Sequence, residues 1–125
     1  MLELELPYPP SINHYWRRVG PRTLISREGR RFRQRVMAIL AAFHIRPLAG
    51  NLAVHVKVFP PDRRRRDIDN VLKSLLDALE HGGAFHDDSQ VTDLRAKKLR
   101  PIAGGKVIVR IKGTEEQNSE SRDHM

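Results

Sequence analysis

Between Asn51 and Gly83 the chain switches from one hydrophobic period to another, and that switch constrains its fold more than any other stretch. Val54, Val56 and Val58 fall on one face at a spacing of two, the pattern of a half-buried strand. Pro60-Pro61 closes it, because proline has no N–H to give to a ladder. Ile68, Leu72, Leu75, Leu76 and Leu79 then recur at helical spacing until Gly82-Gly83 stops the helix. A strand feeding an amphipathic helix buries the helical stripe against a sheet. The connection is Asp62-Arg63-Arg64-Arg65-Arg66-Asp67, four arginines framed by carboxylates.

The remaining segments fit around this unit. Leu2, Leu4 and Leu6 alternate with Glu3 and Glu5 as a short strand, ended by Pro7, Pro9 and Pro10. Ser11 to Arg18 reads as a loop carrying His14, Tyr15 and Trp16 beside Arg17 and Arg18. Ser26 caps a helix expected to reach about Arg46, just before Pro47. Phe32, Val36, Ile39, Leu40 and Phe43 form its buried stripe, and Arg27, Arg30, Arg31, Arg33 and Arg35 crowd its first half. Gln90 to Leu99 and Lys106 to Lys112 read as two final strands, joined as a hairpin through Pro101 to Gly105. The expected architecture is α+β in the order β-α-β-α-β-β: about four strands with two helices packed on one face. One domain spans residues 1–113, and residues 114–125 read as a disordered polar tail.

Composition narrows the function. At 125 residues with a formal charge of +8, the chain suits a polyanionic partner, nucleic acid before membrane. The tail holds four acids against one arginine, so the domain itself is more basic still. With no cysteine, thiol nucleophiles and cysteine zinc sites are excluded. No apolar run is long enough to span a bilayer, and Met-Leu-Glu-Leu-Glu-Leu does not read as a signal peptide. The expected location is cytoplasmic and nucleoid-associated, away from membranes.

The acids are unevenly placed. Eight of the 15 lie between Asp62 and Asp93, in a chain that is otherwise basic. Asp67 and Asp69 sit at a helix start, where one can cap and the other complement the dipole. Asp87-Asp88 follow the Gly-Gly turn, a position where aspartate is common. If Asp67, Asp69 and Asp88 converge, they offer three oxygen ligands to Mg²⁺. Lys73 lies one helical turn beyond Asp69, either as an ion-pair partner of Asp69 or Asp77 or as a cation reaching a phosphate. Arg63, Arg64, Arg65 and Arg66 suit a phosphate backbone. Asn13, Tyr15 and Arg17 are candidate DNA contacts in the loop, where rings beside guanidinium groups can stack on bases or else anchor the loop to the core. His81 and His86 flank the Gly-Gly turn without any zincin motif.

Three motifs in order complete the reading: Pro9-Pro10-Ser11-Ile12-Asn13, Asp62 to Asn70 with Lys73, and Asp87-Asp88-Ser89-Gln90-Val91. Together they resemble RusA-type Holliday-junction resolvases over roughly residues 4–112. That resemblance implies a small homodimeric, Mg²⁺-dependent endodeoxyribonuclease that nicks opposed strands of four-way DNA junctions in recombination and repair, with Mn²⁺ able to substitute. It carries metal binding onto Asp67, Asp69 and Asp88, catalysis onto Lys73 with these acids, and phosphate contact onto Arg66. A metal would activate water for in-line attack, leaving a 5′-phosphate and a 3′-hydroxyl. His86, before the acidic pair, and the longer tail depart from the family pattern. The competing reading is a non-catalytic basic nucleic-acid-binding protein, whose acids only balance its arginines.

Overall fold

The computed structural model describes residues 1–114, so the expected tail lies outside the described residues apart from Thr114. β4 (Leu52–Phe59) is a central strand of the main sheet, as its run of valines requires. It is flanked by β6 (Lys106–Gly113), antiparallel, and by β5 (Val91–Lys98), parallel. β1 (Leu2–Pro7) pairs antiparallel with the far side of β6, giving the order β1-β6-β4-β5.

Two helices cover one face of this sheet. α2 (Arg27–Ala42) presents Phe32, Val36 and Leu40, and α3 (Ile68–Gly82) presents Val71, Leu75, Ala78 and Leu79. Both stripes meet Val54, Val56 and Val58 of β4 and Val107, Val109 and Ile111 of β6 in one core. Truncating a fully buried residue such as Leu75 costs about 2–5 kcal/mol. The α+β class and the helices on one face are as expected.

Three expectations need correction. β5 and β6 are not a hairpin, since β4 lies between them. Their connection folds over the end of β4, where Leu99 N–H donates to Val58 O (2.8 Å) and Ile102 N–H to Pro60 O (2.8 Å). The first helix ends at Ala42 rather than Arg46, where His44 in the left-handed region (φ 54°) turns the chain. The loop of Ser11 to Arg18 instead holds a single helical turn, α1 (Ile12–Tyr15), and the first strand of a small hairpin, β2 (Trp16–Val19) with β3 (Arg22–Ile25). Arg17, Arg18, Val19 and Arg22 to Leu24 are all exposed, so these strands lack the alternation by which a half-buried strand is recognised.

Candidate active site

The loop from β4 to α3 is organised by its first acid. Asp62 Oδ1 accepts from the Arg64 backbone N–H (2.9 Å) and from the Arg66 guanidinium (2.5 Å). The Arg66 bond, with the Arg64 N–H, holds the Asp62 carboxyl at a pKa of about 2. Arg66 thereby folds inward, 6.0 Å from the Tyr8 ring centroid, while Arg63, Arg64 and Arg65 stay exposed. Arg64, Arg65 and Arg66, with Arg31 and Arg35 of α2, border a cleft of about 730 Å³ that reaches Tyr8 and Asp67.

Asp67 occupies the N-cap position of α3, yet its side chain makes no capping hydrogen bond. Asp69 follows in the first turn, and both carboxylates are exposed. The helix dipole favours anions here, but the cap function leaves neither oxygen pair occupied. Lys73 is exposed one turn on, and among the described residues no ion pair engages Asp67, Asp69 or Lys73. Asp77 is committed elsewhere: Arg33 bonds it at 2.8 Å and the Tyr15 hydroxyl donates to it.

Asp88 lies at the other end of α3. Its backbone N–H donates to Glu80 Oε1 (2.8 Å), in the last turn of the helix. Among the described residues, Glu80, Asp87 and Asp88 form the one acidic trio whose ligand oxygens lie within 4.8 Å of one another, a group that could hold a metal ion. Asp87 pushes the Asp88 carboxyl above the usual carboxylate range, reinforced by burial and by Glu80 and Asp77. Asp77 and Glu80 stand eight and eleven residues beyond Asp69, about 12–16 Å along the helix axis. A single chain therefore brings Asp67 and Asp69 together but not Asp88 with them.

Three residues were not anticipated as site builders: Asp62, Glu80 and Gln90. Gln90 is a hub. Its Oε1 accepts from the backbone N–H of His86 (2.8 Å) and Asp87 (2.9 Å), and its Nε2 donates to Leu48 O and Gly50 O, both at 2.9 Å. The Asp87-x-x-Gln90 spacing is that of a capping box and carried the signal.

The candidate DNA contacts divide. Asn13 and Arg17 are exposed, as are Arg63 to Arg65. Tyr15 is not available for stacking, which corrects the expectation for its ring. It is fully buried, its hydroxyl bonded to Asp77 and to Arg33 (2.8 Å), so it braces α1 against α2 and α3. Burial and the Asp77 bond push its pKa up.

Comparison with known proteins finds relatives over most of the chain. Residues 7–112 match the family described as Endodeoxyribonuclease RusA. A crossover junction endodeoxyribonuclease of Enterobacteria phage HK97 is 41% identical over 107 residues, covering 85% of this chain and 89% of the relative. The protein of the same name from Escherichia coli strain K12 is 40% identical over 110 residues, covering 86% and 91%. Asp67, Asp69, Lys73 and Asp88 all fall inside the matched span, and on this evidence the chain belongs to the RusA endodeoxyribonuclease family.

Proposed function

We propose that the protein is a Mg²⁺-dependent, homodimeric endodeoxyribonuclease that resolves four-way DNA junctions by paired nicks. Family membership supports the reaction class, and the uncommitted Asp67–Asp69 pair beside an arginine cleft is the observation that carries the site. Asp67, Asp69 and Asp88 would hold the cation, Asp88 being supplied where two copies of the chain meet. The donor chemistry fits: all three are exposed carboxylates, and the like charges around Asp88 are of the kind a cation relieves. When bound, the cation supplies charge neutralisation and activation of water.

The protein's own groups do the rest. Arg64 and Arg65 with Arg31 and Arg35 hold the phosphate backbone along the cleft, and the exposed Arg63 extends the basic loop beside it, placing the phosphodiester by charge-assisted hydrogen bonds. Asp62 keeps the arginine loop in one shape, so little ordering remains for binding to cost. Lys73, free of carboxylate partners among the described residues, is placed to stabilise charge on the phosphoryl oxygens as it develops. Asp69→Asn keeps the shape and removes one ligand charge. Cleavage of a labelled four-way junction in Mg²⁺ should fall by at least about a hundredfold, with binding kept or tightened. Full cleavage by this variant would remove Asp69 from the site.

A further inference from the structure

The helices cover one face of the sheet and leave the other bare among the described residues. Strand register fixes what that bare face carries. Along β4 it holds His55 and Lys57, beside Arg95 and Lys97 of β5 and Arg110 and Ile108 of β6. These six border a shallow groove of about 200 Å³. Lys106 and Lys112 lie on the same face of β6, and the acids present there are Glu3 and Glu5 of β1 and Asp93 of β5. Lys106 is paired with Glu5 (2.8 Å), Arg110 with Glu3 (3.4 Å) and Arg95 with Asp93 (3.3 Å). Lys57 and Lys97, directly opposite one another in register, enter no such pair among the described residues. His55 Nε2 is buried there without a hydrogen bond.

Two like charges facing each other across strands are destabilising unless something of opposite sign occupies the face. A second copy of this chain meeting the face on itself would double the repulsion. The two sides of the sheet meet at its edge strand: Lys98, the residue after Lys97, turns to the helix-covered side of β5 and donates through Nζ to Arg66 O (3.2 Å), so β5 joins the bare face to the arginine loop. We propose that Lys57 and Lys97, with Arg95 and Arg110, form a second DNA-backbone contact that holds a junction arm leaving the cleft over the β5 edge. This rests on the junction-resolving reading above. It adds to it a surface that a linear duplex confined to the cleft does not need.

The test uses the full chain with Lys57→Ala/Lys97→Ala, both exposed positions, and titrates a labelled four-way junction and a short linear duplex across a salt series in Ca²⁺. On the junction, the log–log salt slope should fall by about 1.8, about 0.9 for each lost phosphate contact. Junction affinity at low salt should drop at least about tenfold, while the short duplex binds as to wild type. The single-turnover rate in Mg²⁺ at saturating enzyme should be unchanged. An unaltered junction slope and affinity overturns the proposal, as does an equal loss on junction and duplex. So does a changed oligomeric state in sedimentation, which would make the face a self-interface. A wild-type protein that fails to cut the junction at all would instead overturn the reading on which the proposal rests.

Discussion

Gln90 shows how one neutral side chain can set an acidic site. Its amide makes two donations and two acceptances, tying the backbone before Asp88 to the chain entering β4. Gln90→Ala removes all four bonds and leaves two backbone N–H groups short of partners, at a cost of about 1–3 kcal/mol where they are shielded from water. If Asp88 serves the proposed site, Gln90 acts through it, and the expected signature is a tenfold or greater loss in single-turnover cleavage with junction affinity within about twofold of wild type. Weakened affinity with an intact rate would make Gln90 a DNA contact instead. At this scale the sequence was informative about chemistry and weaker on commitment. Asp67 holds the N-cap position without a capping bond, and of the two roles open to Tyr15, stacking or anchoring the loop, burial leaves the anchor. Residue type shows what a side chain can do, whereas the partner that occupies it comes from distant segments, as Asp77 and Arg33 do for Tyr15.

Among the elements, α2 depends on an unusually close approach. Gly29 is buried in its first turn, and a Cβ there would stand 2.5 Å from Tyr15 O and 2.8 Å from Ile25 Cγ1. The carbonyl cannot move freely, since it accepts the Ser26 N–H at 2.9 Å. Two effects oppose each other in Gly29→Ala. Helix propensity alone would stabilise by roughly 1 kcal/mol; overpacking against a fixed carbonyl costs about 1–3 kcal/mol. The clash should win, so chemical denaturation should show net destabilisation, whereas Gln34→Ala on the exposed side should shift stability by less than about 0.5 kcal/mol. Greater stability in Gly29→Ala would mean that α1 does not pack there. The major elements were legible because their apolar patterns are periodic: Val54, Val56 and Val58 of β4 alternate with His55 and Lys57, and α3 carries one helical stripe. The β2–β3 hairpin carries no such mark, and the separation of β5 from β6 depends on long-range pairing with β4 that no local pattern encodes.

For the whole molecule, the proposed function poses the question of how carboxylates at opposite ends of α3 would serve one ion. The helix has 15 residues, about 22 Å in length, with Asp67 and Asp69 at its start and Asp88 beside its last turn. Mg²⁺ ligands lie only about 2.1 Å from the ion. A twofold dimer resolves the conflict if the copies run antiparallel along α3, because each end then meets the opposite end of its twin. One interface so built creates two equivalent sites, matching the two opposed cuts that junction resolution requires. This arrangement predicts complementation between two dead chains. Asp69→Asn and Asp88→Asn should each be inactive as homodimers. In the heterodimer, one shared site would carry both substitutions and the other neither. Co-expressed, separately tagged chains purified as the mixed dimer should therefore regain cleavage, read as single-strand nicks without paired resolution. If each site were built within one chain, every site in the mixed dimer would keep one lesion and activity would stay absent. A mixed dimer as inactive as its parents would sink the shared-site arrangement, while leaving the assignment of each aspartate to be judged by its own homodimer.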